Sequence, residues 1–309
     1  MKRLFIMSLV IVSIPFFVVL FWKNEVTKIQ EIKLKYLSNL NVRIKRSSGN
    51  IEIIPLEEYV VGVVAGEMPV LFELEALKAQ CVASRSYVLK RIENNKDKEY
   101  DVVDTVLNQV YLDDNQLREK WGDKYLEYIS KIRKAVNETS MEYLEYDGNV
   151  IDAMFFSTSN GYTEDSEVVF SNNVPYLRSV ESEWDEIVSK TFYSSTSMSL
   201  QEFYERLGLK YNKNLNVEIL KRSASNRIIS LKINGIEFSG RDVYNKLSLR
   251  SCDFELVLVG SNVEINTKGY GHGVGMSQYG AYGMAKSGYN YKDILKHYYV
   301  GTELRKIDV

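Results

Sequence analysis

Glu67 is the residue of this sequence best placed for acid–base chemistry. It stands in Gly66-Glu67-Met68-Pro69, between two stretches of helical periodicity. Leu56, Tyr59, Val60, Val63 and Val64 follow the i, i+3, i+4, i+7, i+8 spacing of a helix. Gly66 is expected to close that helix in the left-handed conformation, and Pro69 biases Met68 away from helical geometry. A second pattern runs from Phe72 to Ile92, with Ala76, Ala79 and Ala83 as a small-residue stripe. Glu67 therefore sits in a short elbow, where partial burial favours the protonated carboxyl that a general acid needs. The C-terminus of the first helix would raise its pKa and the N-terminus of the second would lower it. The plainer alternative is that Glu67 caps the second helix.

Other polar side chains gather in two segments. Ser157-Thr158-Ser159-Asn160-Gly161 follows an apolar run and forms a loop able to hydrogen-bond a sugar or to satisfy its own backbone. Neither Ser157 nor Ser159 lies in G-x-S-x-G, which argues against a serine hydrolase. Gly269 to Gly283, GYGHGVGMSQYGAYG, holds His272 and Gln278. Its glycines let backbone pass close to another segment, yet they fit neither G-x-G-x-x-G nor a phosphate loop. No metal is expected, because His272 and His297 lie far apart with no cysteine at ligand spacing. Cys81 and Cys252 form no C-x-x-C pair, and two cysteines alone do not establish a disulfide.

The remaining chain must position these groups. Its 309 residues suffice for a sizeable core, and a net charge of -2 argues against nucleic acid as a partner. The 22 tyrosines suit carbohydrate stacking, although half-buried packing accounts for most tyrosines. Lys2 and Arg3 precede an apolar run over residues 4–22 that is long enough to cross a bilayer. With no A-x-A cleavage site after it, an uncleaved anchor is expected, with residues 1–3 cytoplasmic and the rest extracytoplasmic. Residues 23–40 read as a stalk and 41–309 as the working domain.

The expected fold is α+β, mixing helices with antiparallel hairpins. Val42–Arg46 and Ile51–Ile54 form the first hairpin, and residues 104–111 return to the core as a short strand or loop. Leu117 to Val136 reads as one packing helix. Met141–Tyr146 and Asn149–Phe156 flank Asp147-Gly148, a two-residue hairpin turn. After Pro175-Tyr176-Leu177-Arg178 comes a polar stretch without periodicity to Ser199. Leu200–Leu207 reads as a helix. Val217–Leu220, Ile228–Ile233 and Ile236–Phe238 read as strands, with a turn at Asn234-Gly235, inside a smaller α+β insertion over about 185–251. Phe254–Val259 and Val263–Asn266 form another hairpin, and Ser277–Lys286 and Tyr291–Tyr299 are closing helices.

Gly66 to Tyr87 (GEMPxxFxxEALKAQxVAxRxY) and Gly271 to Ala281 (GHGVGMSQYGA), together with FSTSNGYT and PYLRSVES, resemble the stage II sporulation protein D family, which shares its domain with the amidase enhancers. The resemblance covers about Val42 to Leu304. It implies a lytic transglycosylase acting on peptidoglycan glycan strands stripped of stem peptides, during engulfment of the forespore. Implied partners are a membrane-bound amidase/endopeptidase and a further membrane protein. By similarity Glu67 is the catalytic acid, and Arg85, Tyr176 and Arg178 correspond to groove residues of the family, with a structural salt bridge as the alternative for Arg85. Ser157, Ser159, Asn160, His272 and Gln278 are further candidates to contact substrate, and His272 alternatively makes a hydrogen bond within its own glycine-rich loop. Some relatives are associated with zinc before the STSNG segment; here Phe155 and Phe156 stand there, so no cofactor is expected.

The chemistry is consistent with a single acid. Glycoside hydrolysis ordinarily takes two carboxylates. A transglycosylase manages with one, which protonates the glycosidic oxygen and then accepts the proton of the muramoyl 6-hydroxyl as that oxygen attacks, giving a 1,6-anhydro end. Two other classes remain open on sequence: a non-catalytic glycan-binding module that recruits and stimulates an amidase, and a membrane-anchored scaffold.

Overall fold

A computed structural model of the chain describes residues 31–35 and 39–307. The membrane span expected over residues 4–22 lies outside them. Among the described residues no helix is long and apolar enough to cross a membrane. Of the expected stalk, residues 31–35 lie along a helix of the domain: the Lys35 amide donates to Asn137 Oδ1 (2.8 Å) and Asn137 Nδ2 to the Lys33 carbonyl (3.0 Å).

The architecture mixes helices with small sheets around two hydrophobic cores. β1 (Asn41–Lys45) and β2 (Ile51–Pro55) form an antiparallel hairpin, and the chain passes directly into α1 (Leu56–Glu67). Its apolar spacing predicts one buried face, yet Val61, Ala65 and even Glu57 are buried too, so α1 is the central helix of the first core. Gly66 corrects the expected stop: it is helical, and α1 ends one residue later, with Met68 extended at φ -120 and ψ 138. α2 (Leu74–Asn94) packs its alanine stripe at 0% exposure against the core. β3 (Val102–Val103) then adds to β1 in parallel.

The single helix expected over 117–136 is two, α3 (Asp114–Trp121) and α4 (Tyr125–Glu138). A 3-10 turn at Gly122–Lys124 separates them, and Gly122 there has φ 50. β4 (Glu142–Tyr146) and β5 (Asn149–Val150) meet over Asp147 (φ 49) and Gly148 (φ 73), the positive pair a type I′ turn requires. β6 (Phe155–Phe156) leads into the STSNG loop. α5 (Ser166–Phe170) and α6 (Trp184–Val188) are single turns.

The stretch read as unpatterned ends in a strand, β7 (Tyr193–Ser199). Its Ser/Thr-rich sequence hides the alternation because one face is solvent-exposed and only Met198 packs on the second core. That core is closed by α7 (Leu200–Leu207), by the antiparallel sheet β8 (Val217–Arg222), β9 (Ile228–Ile233) and β10 (Ile236–Ser239), by α8 (Gly240–Leu247), and by β11 (Phe254–Val259) and β12 (Asn262–Lys268), which pair with β7. It thus draws on Phe254, Val263 and Ile265, beyond residue 251.

The chain returns to the first core through β13 (Met276–Ser277), α9 (Gln278–Lys286), α10 (Tyr291–Tyr298) and β14 (Glu303–Lys306). β13 pairs in parallel with β6, and β14 pairs antiparallel with β4. The first of these pairings sets the glycine-rich segment beside the STSNG loop. Gly275 makes it possible: its φ is 79, and a Cβ there would lie 2.0 Å from the Met154 carbonyl oxygen.

Candidate active site

Glu67 closes α1 at the floor of a cleft of about 660 Å³. Its side chain does not cap α2. Instead Oε1 accepts the Val110 amide at 2.6 Å, and Oε2 accepts no hydrogen bond from the described residues. Burial pushes the carboxyl pKa up, and the Val110 amide pulls partly against it. The C-terminal position on α1 acts in the same direction as burial.

The Val110 contact rests on glycine. A Cβ on Gly66 would stand 2.5 Å from the Val110 carbonyl oxygen, and one on Gly62 would stand 2.3 Å from the Tyr111 ring. These two glycines, one turn apart, open the groove in which residues 110–112 cross α1. The preceding loop becomes one bank of the cleft. Asn108 Nδ2 donates to Tyr87 Oη at 3.0 Å, and Val106 and Leu107 are 86% and 82% exposed at its tip.

The opposite bank comes from Met154 to Ser157, from Phe170, and from Tyr270, Gly271, His272 and Gln278, with Arg241 of α8 reaching in from the second core. Gln278 holds the acid's main chain, its Nε2 donating to the Glu67 carbonyl at 3.1 Å. His272 lies between Phe156 and Phe170, with ring centroids 5.7 and 5.6 Å away. Its Nδ1 accepts the Val274 amide at 3.1 Å, so the neutral ring carries its proton on Nε2. Burial lowers its pKa to about 4, which keeps it neutral at physiological pH.

Four of the expected site residues therefore share one cleft: Glu67, Ser157, His272 and Gln278. Five do not. Arg85 is fully buried and bound by both oxygens of Glu57, at 2.8 and 2.7 Å, so it braces α2 against α1. The Ser159 amide donates to the buried Asp185, and its hydroxyl to the Ser182 carbonyl. Asn160 reaches toward the second core, donating to the Ser225 carbonyl and Asp253. Tyr176 Oη accepts the Asp152 amide, and Arg178 forks onto Glu167 at 2.9 and 2.6 Å. Each of these residues is held by a structural partner, although Asn160 Oδ1 is buried without one, and none lines the cleft.

Tyr87, Val106, Leu107, Asn108, Phe170, Arg241 and Tyr270 escape the sequence reading. The signal available for the 106–108 bank is the Gly62/Gly66 spacing, which announces a segment crossing the helix closely. No group of acidic, His and Cys residues among the described residues could hold a metal ion. Both cysteines are free thiols. A second cavity, about 800 Å³, lies over the strands of the second core. Its acids include Asp253, already held by Asn160 and Arg222.

A family model described as SpoIID, Stage II sporulation protein, matches residues 45–146. The chain is 43% identical over 277 residues to Stage II sporulation protein D of Bacillus amyloliquefaciens, an alignment that covers 88% of this chain and 80% of that protein. The chain belongs to the stage II sporulation protein D family. A second member, from Bacillus subtilis (strain 168), is 41% identical with the same coverage. The Amidase enhancer of Bacillus subtilis is 31% identical over 297 residues, covering 79% of this chain and 40% of that protein. Within the SpoIID match lie Glu67 and the Tyr87, Val106–Asn108 bank, while the facing bank follows it in sequence.

Proposed function

We propose that the protein is a lytic transglycosylase that cleaves the bond between N-acetylmuramic acid and N-acetylglucosamine in peptide-stripped glycan strands. The observation that carries this reading is that Glu67 is the one carboxylate lining its cleft among the described residues. A two-carboxylate hydrolase has no second acid to use there. One acid suffices if the substrate supplies its own nucleophile.

Both halves of that cycle fall to the same side chain. Burial raises the carboxyl pKa and so favours the protonated form, and Oε2, which accepts no hydrogen bond from the described residues, is the oxygen free to deliver the proton to the leaving glycosidic oxygen. Once ionised, the group retains the Val110 amide as a charge-assisted partner, which makes the carboxylate tolerable long enough to take the proton of the muramoyl 6-hydroxyl. Phe155, Phe156, Phe170, Tyr270 and Tyr87 supply apolar faces against which sugar rings can stack. The names of the relatives support a role in the cell wall during sporulation. There the chain would be anchored in the membrane by residues 4–22, with the cleft outside the cytoplasm. It would work beside an amidase/endopeptidase that strips the strands and a further membrane protein.

The relative named Amidase enhancer supports a second reading, a glycan-binding module that stimulates an amidase. Mass spectrometry of peptide-free glycan strands incubated with the protein and with Glu67→Gln separates the two. The transglycosylase gives 1,6-anhydro-muramoyl ends that vanish in the variant. Reducing ends would indicate hydrolysis, and glycan binding without products in either protein would favour the module.

A further inference from the structure

Among the described residues Arg241 is the one cation lining the Glu67 cleft, and it is exposed. It stands in the first turn of α8, on the second core, and Nη1 donates to the Val169 carbonyl at 2.9 Å across the junction with α5. That bond holds the head group in place yet uses one of five guanidinium donors. Among the described residues Arg241 forms no ion pair. The arginines expected from the sequence to meet substrate contrast with it, since Arg85 and Arg178 are each forked onto a glutamate. Glu67, the single acid lining the cleft among the described residues, forms no ion pair with Arg241, and burial shifts its carboxyl toward the uncharged form. The cleft thus presents a fixed, unpaired guanidinium to whatever enters it.

Resting on the transglycosylase reading, the substrate's chemistry names a partner for that charge. Each muramoyl residue carries a lactyl ether. With a stem peptide attached, the lactyl carbonyl is a neutral amide. Once the peptide has been removed, it is a carboxylate, one negative charge per disaccharide. A guanidinium matches a carboxylate bidentately and has no such match with an amide. We propose that Arg241 is the specificity residue of the cleft, recognising the free lactyl carboxylate of stripped strands and so making prior removal of the stem peptide a condition of tight binding. The second core, which supplies Arg241, then contributes selectivity while α1 contributes the acid.

The test measures affinity by calorimetry. Full-length protein and its Arg241→Gln and Arg241→Lys variants, each also carrying Glu67→Gln to prevent turnover, are titrated with muramoyl oligosaccharides. One ligand set has free lactyl carboxylates and the other has them converted to methylamides. The parent is expected to bind the free acid about tenfold more tightly, the lower end of what a hydrogen bond to a charged group contributes. Arg241→Gln should bind both forms alike, at the affinity of the amide, and Arg241→Lys should keep part of the preference. Both replacements retain a donor for the Val169 carbonyl, and unchanged melting temperatures would exclude misfolding. A parent that does not discriminate, or an Arg241→Gln variant that still does, overturns the assignment. Affinity is read without cleavage, so a protein that discriminated but gave no anhydro products would sink the transglycosylase reading and leave this one standing.

Discussion

Replacing Arg85 tests whether a motif arginine serves the reaction or the fold. Its guanidinium meets Glu57 through Nε at 2.8 Å and Nη2 at 2.7 Å, with side chains 0% and 1% exposed. Nη1 adds a bond to the Glu142 carbonyl at 2.8 Å, and the Met141 amide donates to Glu57 at 3.3 Å. Arg85→Met leaves the Glu57 carboxylate buried with that one long amide bond, and removing one partner of a buried pair costs about 3–5 kcal/mol. Against a usual total of about 5–15 kcal/mol, this is a large fraction of the stability. Replacing both residues, Arg85→Met with Glu57→Leu, removes the stranded charge and should recover most of the loss, since an apolar pair of similar volume is often neutral. Urea unfolding midpoints of the two single variants and the double variant give the coupling, and turnover is measured where each remains folded. If Arg85→Met keeps its midpoint but loses turnover tenfold, Arg85 acts on substrate and the bracing role is wrong.

Three further perturbations probe the cleft. Gly66→Ala sets a Cβ 2.5 Å from the Val110 carbonyl oxygen, so it should cost about 1–3 kcal/mol and push the Val110 amide off Glu67. Because that amide lowers the carboxyl pKa and the acid must be protonated to act, the alkaline limb of kcat/KM should move to higher pH; a limb that stays put removes Val110 from the tuning. His272 has its pKa depressed from 6.5 to about 4, so the unfolded chain takes up its proton first. Stability should be full above about pH 6.5 and fall on the order of 2 kcal/mol as pH drops through about 4, after allowing for solvent reaching the ring along the cleft. His272→Gln should flatten that slope in thermal melts recorded across the range. Val106→Ser with Leu107→Ser, at positions 86% and 82% exposed, should alter stability by less than about 0.5 kcal/mol yet weaken glycan binding about fivefold. Unchanged affinity would mean that the 106–108 loop is not a bank of the substrate site.

What could be read from the sequence follows how local its cause is. Asp147-Gly148 and Asn234-Gly235 specify their turns by their own backbone preferences, and all four residues have positive φ. Leu200–Leu207 and Phe254–Val259 have the expected bounds because each carries its burial pattern within itself. The misreadings have distant causes. Gly66 has the residue type of a helix stop, and its actual role is visible only once Val110 lies against it. The partner of Arg85 is 28 residues away, and that of Arg178 is 11 away on a neighbouring segment, beyond the reach of helix spacing. A charged residue in a family motif is thus ambiguous between groove and brace until its burial is known.

The same dependence on distant segments explains why two motifs far apart in sequence serve one acid. The Glu67 side chain is held from 43 residues away by the Val110 amide, and its main chain from 211 residues away by Gln278. Gln278 in turn approaches Gln80 Oε1 at 3.4 Å, and Gln80 is bonded to Ser84 on α2. The first turn of α9 therefore spans both sides of the elbow. Its start is fixed by Ser277, whose hydroxyl bonds Asp185 and accepts the Gly280 amide. Asp185 also accepts the Ser159 amide. Ser159 and Ser277 thus act without touching the cleft: they fix the strand pair β6–β13 from which Ser157 and Gln278 enter it. An acid with one fixed oxygen and one unpartnered oxygen needs its backbone held as firmly as its side chain, or the free oxygen would swing with the elbow. That requirement gives the glycine-rich segment a physical task even though it fits no phosphate-loop pattern and adds no second carboxylate to the cleft among the described residues.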